Sequence, residues 1–227
     1  MSVDVNQHAE RLFAPLAHDY DRWSRLLSFG QDPRWRRAMI TGMELNSGMR
    51  VLDVAAGTGQ VSSLLRDRSC RVISLDQSPE MLQGASRKGF SAILANAEAL
   101  PFKDESFDAL TFTYLLRYVS DKFSCLRELA RVVRSGGVVG MVEFGRPGGV
   151  WGPPWMIYTR VALPLVGSAI SPGWGTVGRF LGPSIDELHQ SYSGDQLRHL
   201  WESAGFTDVR LRTMSLGGGV VMWGRRP

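Results

Sequence analysis

Residues 51–59, Val-Leu-Asp-Val-Ala-Ala-Gly-Thr-Gly, constrain this chain more than any other stretch. Val51, Leu52 and Val54 form an apolar run short enough for a buried strand, which breaks into a turn where Gly57 and Gly59 let main chain rather than side chain face a ligand. An ordinary strand-to-helix turn also uses glycine, so the Gly-x-Gly alone leaves both readings open.

The rest of the pattern decides what this stretch sits in. Strands are expected at 50–55, 71–75, 91–95, 107–112 and 138–144, and helices at 60–67, 79–88 and 122–133. Ser78 reads as an N-cap with Pro79 at the first helical position, and Ser135-Gly136-Gly137 as the stop of the third helix. Strands alternating with helices predict a parallel sheet covered on both faces. A helix at 195–204 stopped by Gly205, a strand at 208–213, the turn Gly217-Gly218-Gly219 and a strand at 220–223 then make the ending antiparallel. The expected fold is therefore α/β, a Rossmann-like seven-stranded, mostly parallel sheet with an antiparallel last strand.

Two segments flank that alternation. Residues 8–45 carry Leu12, Phe13, Leu16, Tyr20, Trp23, Leu26 and Leu27 at intervals near three and four, which predicts a helical preface. From 146 to 192 prolines and glycines mix with Trp151, Trp155, Tyr158, Trp174 and Phe180, and the segment reads as a lid or insertion holding one or two helices, such as 155–166. The 227 residues are expected to form a single domain: preface 1–47, ligand-binding core 48–145, acceptor lid 146–192 and the remaining sheet 193–227.

Composition excludes several classes. The 26 basic residues, three lysines and 23 arginines, are scattered without a long run, so nucleic acid is not an expected partner. Cys70 and Cys125 stand alone, without metal-ligand spacing, which argues against zinc and against a disulfide framework and suits a reducing cytoplasm. Residues 1–10 lack the apolar core of a signal peptide. Residues 161–178 are free of charge, but Pro164 and Pro172 with four glycines argue against a spanning helix.

In an open parallel sheet the ligand lies beyond the carboxyl ends of the strands. Asp76 ends the second strand, 19 residues past Gly57, where a carboxylate can accept both hydroxyls of a ribose; its alternative is to cap the Pro79 helix, a role that Ser78 already fills. A dinucleotide fingerprint would place a third glycine near position 62, which is Ser62 here, so a ligand without a pyrophosphate is favoured over NAD or FAD.

The turn at 53–59, Asp76, the segment Asn96-Ala-Glu-Ala-Leu-Pro-Phe102 and the Val-Val-Arg-Ser-Gly-Gly stretch together resemble class I methyltransferases that use S-adenosylmethionine. Tyr20-Asp21, Leu27-Ser-Phe-Gly30, Leu116-Arg117, Glu143-Phe144 and Val220-Val221 narrow the resemblance to the ubiquinone/menaquinone biosynthesis C-methyltransferase family, over nearly the whole chain. That resemblance implies a cofactor site made of Tyr20, Asp53, Ala55, Gly57, Thr58, Gly59, Asp76, Gln77, Asn96, Ala97 and Thr113. Thr58 and the glycine backbone would meet the methionyl end, and Asn96 and Ala97 the adenine. Asp53 is read either as support for the cationic end or as a hydrogen-bond acceptor within the turn.

A ring carbon is a poor nucleophile until a neighbouring hydroxyl loses its proton, so the site needs a cation or strong donors at that oxygen. Arg117 is the candidate, with a structural salt bridge as its alternative, and Tyr114, Tyr118 and Glu143 complete the candidate catalytic set. Two positions depart from the family pattern: Tyr118 replaces the asparagine of Leu-Arg-Asn-Val, and Gln60 replaces an aspartate. The expected activity is C-methylation of a polyprenyl quinol such as demethylmenaquinol, without a metal. The alternatives are O- or C-methylation of another lipophilic or phenolic metabolite and a non-catalytic S-adenosylmethionine-binding module. The aromatic lid raises peripheral contact with a membrane as one expectation, against a role as the lid's own core; the oligomeric state, a homodimer included, is left open.

Overall fold

The computed structural model describes residues 10–227; residues 8 and 9 of the expected preface, and nearly all of 1–10, lie outside them. A strand covered on both faces can be apolar throughout, and β1 (Arg50–Val54) is buried from its second residue on. It pairs in parallel with β2 (Arg71–Asp76) and β4 (Phe107–Thr113). β3 (Ser91–Leu94) extends one side and β5 (Val133–Phe144) the other, both parallel. β7 (Gly219–Arg225) then lies antiparallel between β5 and β6 (Thr207–Met214), giving the order β3-β2-β1-β4-β5-β7-β6. The strand order reverses between β1 and β4, which opens a crevice at their carboxyl ends.

Within the described part of the preface, a 3₁₀ turn at Ala14–Leu16 precedes α1 (Tyr20–Leu27) and α2 (Gln31–Gly42), which are separated by a bend in which Phe29 and Gly30 both take positive φ. α2 buries Trp35, Met39 and Ile40 against Val138, Val142 and Val221 of the sheet. The sheet is further flanked by α3 (Gln60–Arg66), α4 (Pro79–Arg87), α5 (Lys122–Arg131) and α9 (Gly194–Ser203). The last two set Leu126, Leu129, Leu197 and Trp201 in the larger core. Each such side chain contributes roughly 1.5–3 kcal/mol by leaving water.

Two expectations are corrected. Ser135-Gly136-Gly137 does not stop a helix: α5 ends at Arg131, and these residues lie inside β5. Gly136, at φ +74°, donates its N–H to the Arg226 carbonyl at 2.8 Å, and Arg226 returns one to Gly137 at 2.9 Å. The partner is distant in sequence, so local turn chemistry could not show it.

The lid holds more helix than the one or two helices expected. It is a helical hairpin of α6 (Gly152–Ile157), a wide turn at Tyr158–Ala162, α7 (Leu163–Ile170) and α8 (Pro172–Ser191). Its glycines mark close helix contact rather than loops. A Cβ at Gly167 would lie 2.4 Å from the Trp174 carbonyl oxygen, and one at Gly178 would lie 2.6 Å from that of Leu163. Leu12, Leu16, Trp174 and Val177 form a small core that fastens the preface to this hairpin, over the crevice side of the sheet.

Candidate active site

The glycine turn takes the shape its residues allow. Ala55 and Gly57 have φ of +53° and +55°, and the Gly57 N–H donates to Asp76 Oδ2 at 2.8 Å. The Ser78 N–H donates to Oδ1 at 3.0 Å, while Ser78 Oγ caps α4 by accepting from the Met81 N–H. Asp76 therefore bridges the loops that follow β1 and β2 rather than capping the helix. Its burial pushes the carboxyl pKa up, against the pull of the Ser78 and Gly57 N–H groups.

Asp76 faces a chamber that opens to the surface at the carboxyl ends of the strands. Tyr20, Ala55, Gly57, Thr58, Gln77, Asn96, Ala97 and Thr113 of the expected set stand on its wall, and so do Tyr114 and Tyr118. Leu75, Met81 and Leu115 supply apolar surface. Asn96 orients its side chain by accepting the Glu98 N–H at 2.9 Å.

Asp53 and Gly59 lie behind that wall. Asp53, 1% exposed, accepts from Ser62 Oγ at 2.6 Å and Thr111 Oγ1 at 2.9 Å, and its burial raises its pKa to about 6. Gly59, at φ +79°, lets α4 approach: a Cβ there would stand 3.2 Å from that of Ala85.

Asp21 and Arg36 form the part that sequence reasoning did not place. The Asp21 carboxylate accepts from Thr58 Oγ1, from Gln60 Nε2 at 2.8 Å and from Lys88 Nζ at 2.7 Å, so α1 is clamped onto the glycine turn. Burial pushes the Asp21 pKa up, but Lys88 and the two other donors outweigh it and hold the carboxyl below its ordinary range. Gln60 is thereby explained, since an acid at that position would face Asp21. Arg36 lies on the chamber wall, gives Nε to Asp32 at 2.7 Å and Nη1 to Thr113 Oγ1 at 3.2 Å. The pair was legible in principle, because Asp32 and Arg36 share the buried stripe of α2 with Trp35, Met39 and Ile40.

A second chamber adjoins the first, and Phe13, Tyr20 and Tyr114 belong to the walls of both. Its far side is the hairpin, through Tyr158, Leu163, Trp174, Val177 and Leu181, and its polar groups include Asp32 and Arg117. Tyr20 stacks on Trp174 with ring centres 5.9 Å apart. Tyr114, at φ +58°, stacks on Phe144 and donates its hydroxyl to Asp32 Oδ1 at 2.6 Å.

Arg117 follows β4 in a short 3₁₀ turn, Leu116–Tyr118, and is almost fully enclosed. It donates Nε to Glu143 Oε1 and Nη1 to Ser184 Oγ, each at 2.9 Å, and lies over the rings of Tyr118 and Phe144. Burial works against its charge, yet Glu143 beside it keeps the guanidinium pKa above its ordinary value. Glu143 itself sits behind Arg117, away from both walls. Tyr118 stacks on Phe180, and among the described residues its hydroxyl has no partner. Both readings of Arg117 therefore meet in one geometry: it is salt-bridged, and it faces the second chamber.

The chain is similar to several known proteins. The pattern of the ubiE/COQ5 methyltransferase family matches residues 1–225. The demethylmenaquinone methyltransferase of Thermus thermophilus is 35% identical over 225 residues, covering 95% of this chain and all of that protein. The ubiquinone/menaquinone biosynthesis C-methyltransferase UbiE of Desulfotalea psychrophila is 33% identical, covering 95% and 89%. Among solved structures, a SAM-dependent methyltransferase of Thermotoga maritima superposes with a TM-score of 0.66 at 20% identity over 96% of this chain and 99% of that one. Phosphoethanolamine N-methyltransferase 2 of Haemonchus contortus, solved with S-adenosyl-L-methionine, gives 0.62 at 13% identity over 86% and 52%; both structures speak to the fold alone.

Proposed function

The chain belongs to the ubiE/COQ5 methyltransferase family, and from that premise we infer that it is an S-adenosylmethionine-dependent C-methyltransferase acting on a polyprenyl quinol such as demethylmenaquinol. The observation that carries this reading is the pair of chambers meeting at Phe13, Tyr20 and Tyr114, one suited to a nucleoside and the other apolar around an enclosed arginine.

The first chamber fits S-adenosylmethionine by the chemistry of its groups. Asp76 accepts backbone N–H groups from Gly57, Ser78 and Gln77, and a carboxylate with about four acceptor sites keeps capacity for a ribose hydroxyl. Asn96 and the Ala97 backbone lie where an adenine edge would be read, and Met81, Leu75 and Leu115 offer it apolar surface. Thr58 and the Gly57 backbone border the methionyl end, and Arg36 is the cation available to its carboxylate. The cofactor supplies an electrophilic methyl group on a sulfonium.

The protein's share is alignment and charge. Holding acceptor carbon and methyl group in line replaces a bimolecular encounter, an effect worth ~7–11 kcal/mol in well-oriented systems. Arg117 donates Nε to Glu143 and Nη1 to Ser184, and the guanidinium borders the acceptor chamber, where its charge can stabilise negative charge on the acceptor oxygen. Tyr118, a phenol on the chamber wall beside Arg117 where the family pattern has asparagine, favours as a second reading methylation of another lipophilic phenol, on carbon or oxygen.

Methyl-labelled cofactor offered with reduced naphthoquinols, benzoquinols and phenols, followed by mass analysis of the product, separates these readings. Label on a quinol ring carbon supports the first; label only on phenolic oxygen selects the second; binding without turnover across the panel points to a binding module.

Peripheral attachment to an anionic bilayer is part of the same reading. Among the described residues no helix is long and apolar enough to cross a membrane. Trp151, Ile157, Val161 and Leu165 are exposed on the hairpin, and Phe29 is 76% exposed beside Tyr158. Tyr158 and Leu163 of the same helical segment line the acceptor chamber. Arg146 and Arg160 both pair with Asp186, so the two arginines together exceed their shared acid by one charge, and Arg179 adds a second cation beside this apolar surface. A prenyl tail could then pass between bilayer and chamber along one helical segment.

A further inference from the structure

Asp32, on α2, is 3% exposed, and it lines the acceptor chamber with Arg117 and Tyr114. Its two oxygens are treated differently by the fold. Oδ1 accepts from both Arg36 Nε at 2.7 Å and Tyr114 OH at 2.6 Å, whereas Oδ2 is buried and has no partner among the described residues. A buried acceptor left unfilled is unfavourable, and its presence in a ligand chamber asks for a donor from the ligand. The other carboxylate with an unfilled buried oxygen is Glu143, through Oε2. Glu143 is fully enclosed behind Arg117 and contributes nothing to either chamber wall, so Asp32 alone of the two is placed to meet an acceptor.

We propose that Asp32 is the general base of the reaction, with Oδ2 accepting the ring hydroxyl of the methyl acceptor. The inference rests on the quinol-methylation reading given above. As the acceptor's ring carbon forms its bond to the methyl group, the electrons of the broken sulfur–carbon bond stay on sulfur as a neutral thioether. The O–H electron pair becomes part of a ring carbonyl, and the hydroxyl proton passes to Asp32 Oδ2. The methylated ring carbon then loses its own hydrogen as a proton to water, and Asp32 returns its proton to the ring oxygen. The quinol is restored with one proton released to solvent, and the carboxylate is ready for another cycle. Arg36 and Tyr114 fix Oδ1, which leaves Oδ2 as the free oxygen. Arg117, on the same chamber wall, stabilises charge on the acceptor oxygen while its proton is in transit.

The test compares wild type and Asp32→Asn with two acceptors: a short-tailed reduced naphthoquinol, and a nitro-substituted naphthol already ionised at the assay pH. Wild-type turnover of the naphthoquinol to a ring-methylated product establishes the underlying reading independently. Asp32→Asn is then expected to lower kcat on the naphthoquinol by ~10²–10⁴-fold, the usual share of a general base. KM should change little, and the Kd of S-adenosylhomocysteine, read by calorimetry, should shift by less than tenfold, since Arg36 keeps its bond to Thr113 Oγ1. The ionised naphthol, needing no base, should recover most of the lost rate. Equal loss on both acceptors, or a parallel loss of S-adenosylhomocysteine affinity, would show a structural role and overturn the assignment. If Asp32→Asn fails to fold because Arg36 is left unpaired, Asp32→Glu keeps the charge and displaces the oxygen. The same selective rescue by the ionised naphthol is expected of it, and its absence refutes the proposal.

Discussion

Replacing Arg117 by methionine removes one half of an ion pair whose side chains are 2% and 0% exposed and whose nitrogen and oxygen lie 2.9 Å apart. Glu143 would keep only the Phe144 N–H, at 2.9 Å, with Oε2 already unfilled. An uncompensated buried charge of this kind costs about 3–5 kcal/mol, because the lost attraction had offset the desolvation of both groups. For a chain of this length each kcal/mol moves Tm by about 2–4 °C, so the single variant should melt roughly 6–20 °C lower. The double variant Arg117→Met/Glu143→Met removes both charges and should return to within ~1 kcal/mol of wild type. Its turnover should not return, since the cation facing the acceptor chamber is still missing. Urea unfolding and kcat measured on the same three proteins separate the two roles. A single variant that loses less than ~1 kcal/mol would refute the buried-pair argument. A double variant with wild-type turnover would refute the catalytic one.

Asp76→Ala should weaken S-adenosylhomocysteine binding by tenfold or more in calorimetry, roughly the ~1.5–3 kcal/mol of a charged acceptor, with a folded circular dichroism spectrum; unchanged affinity would remove Asp76 from the ribose. Asp53 has a folded-state pKa of about 6 against an ordinary 3.8, so the native state binds the extra proton between those values. Its contribution is fullest below about pH 4 and falls as pH rises through 6, by up to about 3 kcal/mol. Asp53→Asn should therefore be more stable than wild type at neutral pH and flatter between pH 4 and 6 in urea titrations, because Ser62 can turn its hydroxyl toward Ser74, 2.7 Å away, and accept from the amide. A variant less stable at neutral pH would refute this. Trp151→Asp/Ile157→Asp/Leu165→Asp should abolish sedimentation with anionic vesicles while sparing S-adenosylhomocysteine binding; binding that persists, or a wild-type chain that sediments with no vesicle, would sink the docking face, and a halved solution mass would identify it as a contact between two copies.

The cofactor half of the molecule was legible because its signals are local. Val51 to Gly59 and Ser78 act within a few residues of their own position, Asp76 stands at the fixed spacing of 19 from Gly57, and the alternating pattern fixes the order of strands and helices around them. The acceptor half depends on partners far along the chain. Gly167 and Gly178 look like breakers until the facing carbonyls of Trp174 and Leu163 are known. Asp21 reads as one acid in the first turn of a helix until Thr58, Gln60 and Lys88 converge on it. Glu143 and Arg117 are 26 positions apart, and only the parallel pairing of β4 with β5 brings their strand ends together.

The placement of β7 between β5 and β6 has a consequence for how the molecule is made. β6 is translated before β7, yet β7 is the strand with which it pairs. While the ribosome is still adding residues beyond 214, β5 presents an open apolar edge and β6 has no place to join the sheet. Biogenesis must keep that edge from foreign strands until the closing hairpin arrives. Ribosome-bound chains stalled before and after residue 225 should differ sharply in protease resistance, and the interval between them is when a chaperone would have most to do.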